Sequence, residues 1–541
     1  MGSLFFFSYL SLTLAAQVTY TRQDSLRGSI TKERAWWDLV YYHLAVEVLP
    51  DKKAIIGSNQ ITYQVLTPYQ IMQIDLQDPM VITNVVQEGQ ELSFSSEGSA
   101  HFISLLKPQI SGAVASILIY YEGEPRRAKN APWDGGLSWK KDSNGIDFIA
   151  TSCQGLGASI WWPNKDHMYD EVDSMLISVE VPNTLLDVSN GQLRRVDHNR
   201  LKGTSTYHWF VSNPINNYGV NINIGDYVNW SEKYLGDGGA LDVNYWVLRE
   251  NEAKARTHFS EVPRMLNAFE YWFGRYPFYV DGYKLVEVPY LGMEHQSSVT
   301  YGNHYENGYL GRDLSETGWG LKFDFIIIHE SAHEWFANNI IFKDQADMWI
   351  HESFAAYSES LYIEYYYGKY AGFEYCQGTR DLIANQYPII GSYQVNSSIK
   401  DSDAYYKGAN LLNMIRQIVN DDELWRKTLV NLGSYFHHKT VNSQEIETFI
   451  SEVVGLDLSN IFEQYLRNVQ LAKLEYYQEG TDLFYRWDQV TDAFDMPIDV
   501  IINGVSVRLY PSGEWSSYEI SESADMSVKF DLNYYIELSH L

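Results

Sequence analysis

His329, Glu330 and His333 stand in the order His-Glu-x-x-His inside the largely apolar run from Phe323 to Phe336. In a helix, positions i and i+4 share one face with a rise of about 6 Å, so two imidazoles at that spacing can converge on one tetrahedral metal ion. Glu330 lies beside them, within reach of a water at the metal. Two ligands leave the shell short. Glu352 offers a third, with 18 residues between it and His333, in a run from Met348 to Tyr357 that reads as the next helix. Two His, one Glu and an open fourth position make a catalytic zinc centre, because a closed shell leaves no room for water or substrate. The plainer alternative is two core or surface histidines that share a helix.

These motifs resemble those of the aminopeptidase N family of gluzincin metallopeptidases (peptidase family M1), which also includes leukotriene-A hydrolase. The family pattern is His-Glu-x-x-His, eighteen residues, then Glu. A second family motif, Gly-x-Met-Glu-Asn, is matched by Leu291-Gly292-Met293-Glu294-His295, which departs at Leu291 and His295. The resemblance implies an edge strand on which Gly292 and Met293 meet the substrate and Glu294 binds its free α-amino group. Read alone, Glu294 would be an exposed strand carboxylate. A third motif, Tyr-x-Lys-Gly-Ala, fits Tyr405-Tyr406-Lys407-Gly408-Ala409 and implies that Tyr405 stabilises an oxyanion, with Tyr406 as the alternative register. Gln154 resembles a family Gln or Glu that reaches into the cleft. Glu359, seven residues after Glu352, resembles a position that supports the metal site; its alternative is a solvent-facing acid.

What the resemblance implies is an aminopeptidase with one zinc ion per chain, acting on peptides with a free N-terminal amine. Rival readings are an epoxide hydrolase of the leukotriene-A type, a thermolysin-like endopeptidase, and a non-catalytic, zinc-stabilised peptide-binding protein. Glu294 speaks against an endopeptidase, and Glu330 has no use in pure binding.

The elements that must position these residues belong to a long chain. At 541 residues it exceeds one ordinary core, and its 45% hydrophobic and 15% aromatic content is that of a folded globular protein. The formal charge of −29 repels phosphate backbones and excludes nucleic acid as an expected partner. Cys153 and Cys376 make no disulfide framework. His437-His438 lack a third ligand at useful spacing and read as a solvated pair.

From Trp36 to Tyr227 apolar residues alternate, as in Tyr42, Leu44, Val46 and Val48, which predicts strands with one wet face. Past Leu248 helical signals dominate to about residue 470; after Asn442, for example, Glu445 completes a capping box and Gly455 ends an apolar stripe. Beyond Leu474 strands return, with Asn503-Gly504 as a two-residue hairpin turn.

The expected fold is multidomain α+β. It comprises an N-terminal all-β saddle domain (17–228), a thermolysin-like α-rich catalytic zinc domain (229–472) and a small C-terminal β-sandwich (473–541). The resemblance covers about residues 30 to 541 and finds no counterpart of the large helical C-terminal domain that encloses the cleft in long members. Leu4 to Ala16 resembles a secretory signal peptide (1–16) too short to span a bilayer, so an exported protein, periplasmic or extracellular, with no membrane span is expected.

Overall fold

A computed structural model of the chain describes residues 19–396, 402–519 and 527–541. The segment 1–16, read from the sequence as a signal peptide, lies outside the described residues. Among them, no helix is long and apolar enough to cross a membrane.

The N-terminal domain is built on an eight-stranded sheet at whose centre Trp37–Leu49 pairs antiparallel with Ala54–Val65 and parallel with Ser174–Pro182. Tyr42, Leu44, Val46 and Val48 all face its core, as the alternation requires. A three-stranded sheet (Ile71–Asp75, Ala100–Ser104, Phe94–Glu97) and a four-stranded sheet complete the domain, the latter with Gly136–Lys141 and Asp147–Ser152 as an antiparallel pair at its edge. The domain is not purely β. Short helices at Arg22–Gly28 and Lys32–Ala35 precede the first strand, the former capped by a Thr21/Asp24 box. What holds them is tertiary: buried Arg34 donates to the carbonyls of Leu26, Arg27 and Ser29 and pairs with Asp75 at 2.5 Å. Hydrophobic periodicity carries no trace of that contact.

The middle domain opens on a mixed five-stranded sheet (Tyr227–Gly236, Gly239–Leu248, Tyr283–Glu287, Val299–Tyr301, Gly292–Met293), so its α-rich character begins later than periodicity indicates. Gly292–Met293 is the edge strand, antiparallel to Val299–Tyr301. The helices Glu261–Phe273, Phe325–Ala332, Trp349–Tyr367 and Asp403–Val419 pack behind that sheet as part of one apolar core, which continues into the C-terminal domain. Val286, Val288, Tyr290 and Met293 belong instead to the core of the N-terminal domain. The edge strand therefore lies at the seam of two cores, where a cleft is to be expected.

The C-terminal domain has a four-stranded and a three-stranded sheet. Its hairpin pairs Ile502 with Val505 across Asn503 and Gly504, both at positive φ. The predicted caps at Asn442 and Gly455 are both formed. Cys153 and Cys376 are buried and unpaired.

Candidate active site

The helix that presents His329 starts where Asp324 caps it, accepting from the backbone N–H groups of Ile326 at 2.9 Å and Ile327 at 3.2 Å. Asp324 is itself held by His258 Nε2 (2.6 Å), Tyr301 Oη (2.8 Å) and Asn303 Nδ2 (3.0 Å). Every residue from Phe325 to Ala332 is buried, which is why the run shows no polar face besides His329, Glu330 and Ser331. The helix stops at Ala332, sooner than the motif implies, and His333 is its C-cap. Beyond it the hydrogen bonds tighten to i→i−3, as in Glu334 N to Ser331 O and Trp335 N to Ala332 O. That turn brings the Phe336 carbonyl to His333 Nδ1 at 2.9 Å.

Both imidazoles are thereby oriented. His329 Nδ1 faces Glu359 Oε1 at 2.8 Å, and Tyr375 Oη donates to the other oxygen of Glu359 at 2.6 Å. With Nδ1 engaged on each ring, both Nε2 atoms turn to the same point. Glu352, on the helix Trp349–Tyr367, directs Oε2 there as well, 3.6 Å from His329 Nε2 and 3.5 Å from His333 Nε2. Ligand atoms of a tetrahedral zinc, each about 2.0–2.1 Å from the ion, would lie about 3.3–3.4 Å apart. Buried Glu352 Oε2 has no hydrogen-bond partner, although buried carboxylate oxygens ordinarily find one. A metal ion at the common point would satisfy it, so the residues present fit one divalent cation. Among the described residues this trio is the group of ligating side chains that converges.

The electrostatics agree. Burial opposes the charge on Glu352, but the two imidazoles beside it prevail and hold its carboxyl well below the usual range. Burial also opposes charge on His329, yet Glu352, Glu359 and Glu330 raise its affinity for a proton. Four carboxylates around two imidazoles make a field that favours a cation. Replacing Glu359 by Gln should weaken zinc binding roughly 10- to 100-fold. Competition with a chelator of known affinity measures this, and unchanged metal affinity would show that Glu359 only fills space.

Glu294 follows the edge strand directly and is buried. Gln154 arrives from the N-terminal domain, and its Nε2 donates to Glu294 Oε1 and Glu352 Oε1, each at 2.8 Å. One amide thus ties the metal trio to the second carboxylate. The edge strand can come this close because Gly292 has no side chain. A Cβ there would lie 2.5 Å from Ile326 Cγ2, 2.9 Å from Thr300 O and 3.3 Å from Glu330 Cγ. Burial raises the Glu294 carboxyl above its ordinary value, countered by His333 and reinforced by Glu352. An ammonium beside it would reverse that shift.

Tyr405 stacks over His329, ring centroids 5.9 Å apart and planes at 21°. Burial raises its phenol well above the ordinary value, and Glu352, Glu294 and Glu330, which it faces, add to the effect. Tyr406 lines the same cavity; burial raises its phenol too, but the groups that add most to this are Glu359 and Tyr309, with Glu352 after them. The ring of Tyr405 is set by Gly408 one turn on, where the helix Asp403–Val419 meets the helix Trp349–Tyr367. A Cβ on Gly408 would fall 1.7 Å from Ser353 Oγ, which is fixed by a 2.6 Å bond to Ala404 O. Gly408→Ala should therefore force the helices apart, lowering stability by about 1–3 kcal/mol and turnover with it. Denaturant unfolding beside steady-state kinetics tests this; wild-type values in both would refute the packing argument.

Gln154, Gly292, Glu294, His329, Glu330, His333, Glu352, Tyr405 and Tyr406 all line one cavity of about 530 Å³. Met293 instead points into the N-terminal core, and Glu359 stands behind His329. Several neighbours escape sequence reasoning. Asn338 Nδ2 donates to the Glu294 carbonyl at 2.9 Å, and buried Glu334 accepts from Ser297 N at 2.9 Å and Tyr276 Oη at 2.6 Å, so the segment after the edge strand is pinned from behind. Tyr218 is buried with its hydroxyl towards Glu294. No local pattern marks these residues, apart from the position of Glu334 beside His333. Of His437-His438, His437 is exposed as expected, with Nδ1 2.7 Å from Asn339 Oδ1, while His438 is half-buried and stacks on Phe278 (5.3 Å, 10°).

An N-terminal β domain, a helical domain holding the His-His-Glu trio beside Glu330, and a C-terminal β domain together make up the domain architecture of an M1 metallopeptidase fold. Residues 258–465 match the family model described as Peptidase family M1 domain, and this segment is a domain of that family. A probable aminopeptidase 1 of Sulfurisphaera tokodaii is 26% identical over 298 residues, covering 50% of this chain and 37% of that protein. A leucyl aminopeptidase of Saccharolobus solfataricus is 23% identical over 392 residues, covering 70% of this chain and 47% of its own length. The chain thus spans less than half the length of these two curated relatives. An M1 zinc metallopeptidase of Deinococcus radiodurans, solved as a mutant bound to a Tyr-Ser-Ala substrate, superposes with a TM-score of 0.69 at 19% identity, covering 81% of this chain and 96% of that one. That likeness shows the fold.

Proposed function

We propose that the protein is a zinc-dependent aminopeptidase that hydrolyses the first peptide bond of peptides with a free N-terminal amine. The observation that carries this reading is the bridge made by Gln154. Its Nε2 is 2.8 Å from both Glu294 and Glu352, so the two carboxylate oxygens are at most twice that distance apart. In an amino acid the nitrogen and the carbonyl carbon are separated by only two bonds, about 2.5 Å. An amine held at Glu294 therefore brings the first carbonyl, and no later one, to the trio.

His329, His333 and Glu352 would hold the zinc ion, which would supply Lewis acidity towards that carbonyl and towards a water near neutral pH. Glu330 takes the proton as the water attacks, then passes it to the leaving amine. Tyr405 donates a hydrogen bond to the oxygen on which negative charge develops, a contact of a kind that contributes about 100-fold or more in rate. With its Nε2 committed to two carboxylates, Gln154 has its Oε1 left to accept from the ammonium. Members of the family named as aminopeptidases support the reading, as does the substrate-bound neighbour.

A panel of aminoacyl fluorophores, free and N-acetylated, with and without a chelator, tests it. Release from the free-amine substrates alone, abolished by chelation and restored by zinc, is the expected result. Equal cleavage of the acetylated forms would overturn it. The apolar segment Leu4 to Ala16 supports export of the mature chain, which N-terminal sequencing of secreted protein would test.

A further inference from the structure

The catalytic cavity has one wall that the proposed chemistry does not use. The strands Gly136–Lys141 and Asp147–Ser152 pair so that Gly136 lies opposite Ser152. Three residues before Gly136 stands Trp133, and two after Ser152 stands Gln154, so both leave the sheet at the same end. Gln154 reaches Glu294. Trp133 lines the same cavity as Gln154 and Glu294, with Pro132 next to it in sequence.

The loop that carries this indole is closed on itself. Asn130 and Asp134 exchange backbone hydrogen bonds at 3.1 and 2.9 Å, Lys129 N adds one to Asp134 O at 2.9 Å, and Arg126 pairs with the Asp134 carboxylate. At its exit Gly135 passes so near Ser152 that a Cβ would lie 2.2 Å from the Ser152 carbonyl oxygen. Yet Trp133 remains 57% exposed. A large aromatic surface left in water on a cavity wall gains most by covering an apolar group.

The composition of the cavity narrows the group. Apolar residues that share this lining with Trp133 include Leu291, Tyr309, Leu314, Phe325 and Leu382, and the charged residues that line the cavity are those of the catalytic cluster itself. Among the described residues, no further acid lines it to pair with a lysine or arginine side chain. We infer that Trp133 is a specificity-determining residue that covers the first side chain of the substrate and selects bulky apolar or aromatic N-terminal residues. This rests on the aminopeptidase reading and extends it to the substrate class.

The test compares phenylalanyl, leucyl, alanyl and arginyl fluorophores on the wild type, Trp133→Ala and Trp133→Phe. The wild type should favour phenylalanyl and leucyl over alanyl and arginyl substrates by roughly tenfold or more in kcat/KM. Trp133→Ala should remove about tenfold of that preference, chiefly through KM, while the alanyl substrate changes less than about threefold; Trp133→Phe should keep most of it. An unchanged phenylalanyl-to-alanyl ratio in Trp133→Ala, or a wild type that prefers arginyl, overturns the inference while leaving the aminopeptidase reading intact. Absence of turnover on every free-amine substrate defeats that reading instead. Calorimetry with L-phenylalaninamide and L-alaninamide on the zinc-loaded protein gives the same comparison without turnover: loss of the difference in Trp133→Ala supports the inference, and its persistence refutes it.

Discussion

Glu330→Gln is expected to keep its zinc and its fold and to lose about a thousandfold to ten-thousandfold in kcat. Zinc is retained because the three ligands are His329, His333 and Glu352, none of which depends on the Glu330 side chain for orientation. The fold is retained because an amide fills the carboxylate's volume without leaving a buried charge. Only the ability to accept a proton disappears, and KM for a free-amine substrate should hardly move.

The pH profile gives a second readout. Burial pushes the Glu330 carboxyl up to about 7, with His329 opposing and Glu294 reinforcing. A base works only when deprotonated, so activity falls as pH drops through this pKa. A divalent cation beside the group favours its charged form and lowers the pKa, which places the acid limb of the zinc enzyme below pH 7. Metal analysis and a profile of kcat against pH check both statements. A Glu330→Gln enzyme with wild-type turnover, or with the acid limb intact, would remove Glu330 from the mechanism.

The parts of this site that are legible in the sequence are those whose geometry is local. His329 and His333 are one helical turn apart, so their spacing already places them on one face. Gly292 and Gly408 also leave a trace, because each is required by a close backbone approach that any side chain would block. Even so, local periodicity overestimates the helix, which ends at Ala332 because the next turn must supply Phe336 O to His333. Tyr218, Asn338 and Tyr375 reach the centre from loops and helices far from it in the chain or without local signal, and no pattern of residue types announces a contact that exists only after packing. The five-stranded sheet of the middle domain is hidden for a related reason. Tyr283–Glu287 is buried throughout, as an inner strand must be, and so shows no alternation.

Glu294→Ala should lose roughly 100- to 1,000-fold in kcat/KM on free-amine substrates while binding zinc as before. The arithmetic follows from what Glu294 alone provides. A charge-assisted contact between a buried carboxylate and an ammonium is among the stronger single interactions, and removing one partner leaves the other charge desolvated, at about 3–5 kcal/mol. Part of that is recovered because Gln154 keeps its bond to Glu352 and its amide oxygen can still accept from the amine. The effect should divide between KM and kcat, since a loosely held amine also lets the carbonyl drift from the trio. N-acetylated substrates separate this account from a merely structural one. Acetylation removes the ammonium, so the wild type should strongly prefer the free form, and Glu294→Ala should lose that preference by lowering only the free-amine rate. If free and acetylated rates fell together, Glu294 would be supporting the strand and helix instead of reading the amine.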